Sequence, residues 1–412
     1  MPGETYARFK RWFWRPPRPH GQTIADRRVT PLELLYDLVY VALIAQAAHH
    51  LAEDASFETL LEFTVVAAMI WLAWINGSLY LELHGRPDGR TRSYVFLQIG
   101  ILAVLAVFTE DATGSTGQMF AIVYATFLVV LTWLWYTVRR QDRPEWYAVT
   151  ARYLAAMVIS VVGILATALI PPEPRLIVWA AFAVGWFVYF VALAWDPRLG
   201  FGRGVVPTDS LVERFGLFTI IVLGEVVFGV VDGMSGAEHD PITVLTGILA
   251  LGLGFGFWWI YFDTLGGRLP RRESRASVAW LLGHFPIALA IAGSGAAMVG
   301  LIEHAHDART PEPIAWLVSG AVALVLVAAT LVARSLEEFE RLAAAYRPLG
   351  VAMLGGAFAA LVIGWLGPPP WLLVLVLGGI LSVLWLFAVG RFLAVGAWDD
   401  ERSIATSPDT AA

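Results

Sequence analysis

The 412 residues contain no cysteine, which excludes disulfides, thiolate metal sites, thiol catalysis and thioether-bound haem. Lysine is reduced to Lys10, against 27 arginines, a coding bias with no functional reading. Charge is scarce as well. Asp, Glu, Lys and Arg make up 15% of the chain, 58% is hydrophobic and the mean hydropathy is +0.66, values that exclude an ordinary soluble domain. Also missing are strand-like alternation, a phosphate-cradling glycine loop, a nucleophile elbow and a His-Glu-x-x-His zinc motif, so ATP-driven work and hydrolytic chemistry lack support.

What is present is a series of apolar runs, at roughly 31–51, 60–81, 93–109, 117–138, 150–170, 176–195, 210–231, 242–264, 278–302, 314–333, 347–366 and 371–393. Each is long enough to cross a bilayer as a helix, the form that satisfies its own backbone in lipid. The expected fold is an all-α integral membrane protein of about twelve transmembrane helices, with a polytopic membrane domain at 30–395 between a basic arm at 1–29 and a tail at 396–412. The cations sort sharply. The arm, the even-numbered connections and the tail hold 25 Lys and Arg, the odd-numbered connections hold only Arg175 and Arg309, and Arg214 lies within a run. By the positive-inside rule both termini face the cytoplasm.

The arm, with RFKRWFWRPPRPHGQ at 8–22, suits an anionic leaflet, Trp12, Phe13 and Trp14 dipping into the headgroups. A nucleic-acid arm has a similar composition, but no nucleic-acid partner is expected here. Ala45-Gln46-Ala47 resembles a signal-peptide cleavage site; Glu33 and Asp37 interrupt the apolar core ahead of it and argue against one. An internal duplication is legible too. Trp71 and Asn76 in the second run share their spacing with Trp258 and Asp263 in the eighth, which points to two six-helix parallel repeats, 30–203 and 204–395. Chance recurrence of Trp-rich helix ends is the alternative.

The seventh run, SLVERFGLFTIIVLGEVVFGVV at 210–231, organises the rest. Each charge inside a span costs roughly 2.5–3.5 kcal/mol on insertion scales, and this run carries Glu213, Arg214 and Glu225. Glu225 lies about 18 Å beyond Glu213 along the axis, too deep to snorkel. Glu33 and Asp37, four apart on one face of the first run, would repel in a dry environment. An Asp37–Arg214 or Glu33–Arg214 pair is therefore expected; interfacial neutralisation of Glu213 and Arg214 is the bland alternative. Asn76, Asp263 and His284 are expected in the same polar layer, with Tyr36, Tyr40 and Tyr261 as donors. Gln46 and His49 fall at the depth of Glu225 and are its expected partners. Pro286 should kink the ninth helix beside His284. Of the outer-side histidines, His49, His50, His239, His304 and His306, no pair has the i, i+4 spacing that binds zinc, so no metal and no cofactor are expected.

Two stretches carry a family resemblance. TPLELLYDLVYVALIAQAAHHL at 30–51 and VERFGLFTIIVLGE at 212–225 resemble the opening and central signatures of the bacterial low-temperature-requirement protein A family. Trp258-Trp259-Ile260-Tyr261-Phe262-Asp263, His284-Phe285-Pro286 and Glu303-His304 are similar to it as well. The resemblance implies a multi-pass protein of the bacterial plasma (inner) membrane associated with growth in the cold, and supplies no reaction. Val226 stands where the family pattern leads one to expect a small polar residue.

These residues support three readings. A buried Glu225 in a kinked, glycine-rich bundle suits an ion-coupled (proton) secondary transporter or ion pathway, whose partners are membrane lipids and an unknown small solute or ion. A non-transporting sensor or scaffold would use the buried charges only to lock helices. A lipid-modifying intramembrane enzyme would use Glu225, His49 or His284 as acid or base, although no catalytic residue is assigned.

Overall fold

The computed structural model describes residues 2–13, 15–22, 24, 27–195 and 207–396. Among the described residues the chain forms thirteen α-helices and a short 3-10 turn, with one isolated bridge between Pro270 and Leu336 as its only β pairing. A first helix, α1 (Pro2–Phe13), is followed by twelve that are long and apolar enough to cross a membrane. These are α2 (Pro31–Glu53), α3 (Phe57–His84), α4 (Gly89–Val107), α5 (Gly117–Arg139), α6 (Tyr147–Thr167), α7 (Pro172–Trp195), α8 (Asp209–Gly236), α9 (Pro241–Thr264), α10 (Ser274–Glu303), α11 (Glu312–Ala333), α12 (Ala343–Leu366) and α13 (Pro370–Ala394).

The helix ends follow local chemistry. Thr30 accepts from the Glu33 amide and Pro31 opens α2; Ser56 and Thr59 form a reciprocal capping box at the start of α3; Asp88 accepts from the Thr91 amide to open α4. Gly367, in the left-handed region at φ +54°, ends α12.

The chain divides into two compact units, Met1–Ile221 with Arg272–Val278 and Val222–Arg271 with Ala279–Ala412. The division falls inside α8, whose first thirteen residues belong to the first unit. In the first unit α3 is central. Its residues are apolar on every face, the pattern of a helix surrounded by protein, whereas α4, α6 and α7 leave Phe96, Ile159, Ile177 and Val184 exposed, as lipid-facing helices do. Helix α2 packs on α3 and α4, α4 on α5, α5 on α3 and α6, and α7 on α3 and α6. In the second unit α11 is largely enclosed, packing on α9, α12 and α13, and α13 also packs on α9 and α12. One pattern recurs. Numbered as spans, the pairings of second with sixth, second with fourth, fourth with fifth and fifth with sixth reappear as eighth with twelfth, eighth with tenth, tenth with eleventh and eleventh with twelfth.

The two cations of the odd-numbered connections, Arg175 and Arg309, are both helix caps. Arg175 is buried at the start of α7, where Nε donates to the carbonyl of Thr167, the last residue of α6, and Nη2 to that of Ile170 just beyond it. Arg309 Nη2 donates to Leu366 O, the last carbonyl of α12. A guanidinium suits the negative end of a helix dipole, so the exceptions to the charge asymmetry serve local structure.

Candidate functional site

In the first unit, α2, α3 and the start of α8 enclose a cluster of ionised groups. Asp37 is fully buried and Arg214 is 1% exposed. Arg214 Nη2 donates to Asp37 Oδ1 at 2.7 Å, and its Nε lies 3.1 Å from both carboxylate oxygens. Trp74 Nε1 donates to Asp37 Oδ1 at 2.8 Å. The Trp74 ring is held between Phe215 and Phe218 of α8, with centroids 4.9 and 4.1 Å away, and the Arg214 guanidinium lies 5.6 Å over the Tyr36 ring. Three donors on one carboxylate offset the desolvation of a buried ion, so the pair is compatible with a dry site.

Glu33 takes a different partner. Its Oε1 accepts from Arg27 Nη2 at 2.9 Å and from Thr30 Oγ1 at 3.2 Å, while Oε2 stands 3.8 Å from Arg214 Nη1, and neither of those last two atoms has a hydrogen bond among the described residues. Arg27 also pairs with Glu82 near the end of α3. Glu82 accepts in addition from Thr208 Oγ1 at 2.7 Å and from Ser210 Oγ at 3.0 Å. Arg18, 3% exposed, donates Nε to the Gly85 carbonyl at 2.8 Å and Nη2 to the Glu82 carbonyl, capping α3. Two arginines, Arg27 and Arg214, thus face three carboxylates within one unit, and Arg18 caps the helix end beside them.

The sequence signalled Glu33, Asp37 and Arg214 by their depth, and the structure brings them together. Glu213 is not among them: it is exposed, and among the described residues its carboxylate accepts only from the Val29 amide, at 3.4 Å. Arg18, Arg27, Trp74, Glu82, Thr208 and Ser210 were missed. The available signal was Glu82 inside an otherwise apolar helix end, a second uncompensated carboxylate that needed a cation from nearby chain.

Asn76 lies elsewhere in the first unit, buried, donating to Leu72 O at 2.7 Å and accepting from Tyr153. Tyr36 and Tyr40 hydroxyls are 3.1 Å apart, and Gly77 makes room for the first of them, since a Cβ there would overlap Tyr36 Oη. Gln46 and His49 are on the exposed side of α2; His49 Nε2 is 3.7 Å from Glu110 and 3.8 Å from Glu53. Among the described residues no three His, Asp or Glu converge in a metal-holding group.

In the second unit, Glu225 sits where α8 crosses α10. Glu225, Gly229 and Gly233 recur every four residues on one face, and that face meets Gly295 and Val299. The crossing is tight. A Cβ on Gly295 would stand 2.7 Å from the Glu225 carbonyl, and one on Gly229 would overlap the Gly295 carbonyl. The partly exposed Glu225 carboxyl has no hydrogen bond or ion pair among the described residues. His284 Nδ1 donates to Trp280 O at 2.6 Å and its Nε2 lies 3.1 Å from Tyr261 Oη, just ahead of Pro286 inside α10. Asp263, at the last turn of α9, accepts from Trp385 Nε1 at 2.6 Å.

A family model described as "Bacterial low temperature requirement A protein (LtrA)" matches residues 28–389. An uncharacterized protein of Rhizobium meliloti (strain 1021) is 26% identical over 272 residues, which cover 62% of this chain and 65% of that protein's length. No solved structure matches.

Proposed function

The chain belongs to the bacterial low temperature requirement A protein family, and on that footing we propose that it is a proton-coupled secondary transporter or ion pathway of the inner membrane, used in growth at low temperature. The observation that carries this reading is Glu225. It lies about 24 Å along α8 from Asp209, in a helix of membrane-crossing length, and among the described residues its carboxyl has no counter-charge and no donor. A carboxyl placed so is costly as a structural element and useful as a proton site. Gln46 and His49 on the first span, and Asn76, Asp263 and His284, are proposed as further polar groups of the pathway. The recurrence of four span pairings in both units supports two six-helix parallel repeats, and the cation distribution supports cytoplasmic termini.

A second reading, a non-transporting sensor or scaffold, is favoured by the Arg214–Asp37–Trp74 geometry, whose three donors on one buried carboxylate suit a permanent lock. Proteoliposomes separate the two. With an inward proton gradient and a solute panel, the wild-type protein should give pH-dependent flux, and Glu225→Gln, which keeps size and hydrogen bonding but cannot titrate, should fold normally and abolish it. Unchanged flux in that variant at equal abundance would refute a proton-binding role for Glu225; absence of any flux from the wild-type protein would favour the scaffold.

A further inference from the structure

The second unit contains a groove unrelated to Glu225. It opens between the end of α11 and the start of α12, has a volume of about 210 Å³, and is lined by Ala329, Thr330 and Ala333 on one side and Gly350, Val351 and Leu354 on the other. Val351 and Leu354 are exposed, as lipid-facing residues of a spanning helix are, so the groove is open toward the acyl chains. Its walls are held in place: Thr330 Oγ1 donates to Leu326 O at 2.8 Å, and Tyr346 Oη donates to Thr264 O at 2.9 Å. A Cβ on Gly350 would come within 3.2 Å of Thr330, so the glycine keeps the two helices close without filling the groove.

At the polar end of the groove stand Arg334 and Arg347. Among the described residues Arg334, which is exposed, forms no ion pair or hydrogen bond, and Arg347 has one partner, Glu340, at 3.0 Å. An apolar slot that opens sideways into lipid and ends in two guanidiniums at the helix-end level matches one kind of molecule, an acyl chain attached to an anionic phosphate. We propose that this groove is a specific site for an anionic phospholipid, its phosphate held by Arg334 and Arg347 and part of one acyl chain lying along Gly350, Val351 and Leu354.

The test uses the purified full chain in neutral detergent, with phosphatidylglycerol, phosphatidylcholine, glycerol phosphate or inorganic phosphate added, and reads thermal stability and lipid retained in native mass spectrometry. Phosphatidylglycerol should raise the melting temperature and remain bound in a one-to-one complex, and the other three should not. Arg334→Gln and Arg347→Gln should each weaken apparent affinity about fivefold, and together more strongly. Arg334→Gln is the safeguard against misfolding, since Arg334 has no hydrogen bond or ion pair among the described residues. Arg341→Gln, a charge change in the connection between the two groove helices but outside the groove lining, should leave retention unchanged. Equal stabilisation by inorganic or glycerol phosphate would mean a free-phosphate site and overturn the lipid assignment; equal stabilisation by phosphatidylcholine, or undiminished retention in the double variant, would overturn the site.

Discussion

Arg214 answers to two carboxylates four residues apart and chooses the deeper one. The reason lies in donor geometry: its Nε and Nη2 edge meets Asp37 squarely, while its remaining Nη1 reaches Glu33 only at 3.8 Å. Removing one member of a buried pair leaves the other uncompensated, so Arg214→Ala should cost about 3–5 kcal/mol, read as a lower denaturation midpoint in detergent. Adding Asp37→Asn should recover part of that loss, and adding Glu33→Gln less, because Glu33 keeps Arg27. Equal recovery by both would contradict the assignment. Arg214→Lys should fall between wild type and Ala, since an ammonium cannot present two parallel N–H groups to Asp37. Trp74→Phe keeps the ring between Phe215 and Phe218 but deletes a donor to a buried anion, for an expected cost of about 1.5–3 kcal/mol.

Single residues act through the elements they join, and two junctions make distinct demands. At the α8–α10 crossing the backbones are too close for a side chain at position 295, so Gly295→Ala must push the helices apart and should destabilise by about 1–3 kcal/mol. A melt indistinguishable from wild type would mean that the crossing is looser than described. At the other junction the arm is docked onto the first unit rather than only lying at headgroup level. Arg18 caps α3, the His20 ring stacks on Trp146 at 4.9 Å, and His20 donates Nδ1 to Asp142 at 2.9 Å. Burial alone would raise the Asp142 carboxyl, but hydrogen bonds from His20 and from Thr150 outweigh it and hold it below its ordinary value of 3.8. A depressed carboxyl contributes stability that is complete above the unfolded pKa and is lost as pH falls through the folded one. Amide exchange over residues 15–22, corrected for its intrinsic pH dependence, should therefore stay slow from neutral pH down to about 4 and rise only below it. Asp142→Asn should raise it at neutral pH and remove the acid step.

For the whole molecule, the arginine distribution makes one prediction: a reporter fused at residue 238 should be external and one between 268 and 275 cytoplasmic. The reverse result would invert the proposed orientation. The class of fold and its twelve spans were readable from the linear chain, because length and apolarity are properties of each segment alone and lipid demands helices of every such segment. So were the unusual members of the polar cluster that lie deep in apolar runs, Asp37 and Arg214, since burial of a charge is costly wherever the helix stands. Their partners were not readable in the same way. Glu82 signals a missing cation without saying which one, Arg27 and Trp74 sit in a basic arm and a Trp-rich stretch where nothing local distinguishes them, and Gly77, Gly229 and Gly295 look like any membrane glycine until their neighbours are known. Depth along an axis follows from counting residues. Which face of a helix meets which neighbour depends on how all the helices of a unit rotate and pack together, and that rotation gave Asp37 to Arg214, left Glu33 to Arg27 and turned Glu213 outward.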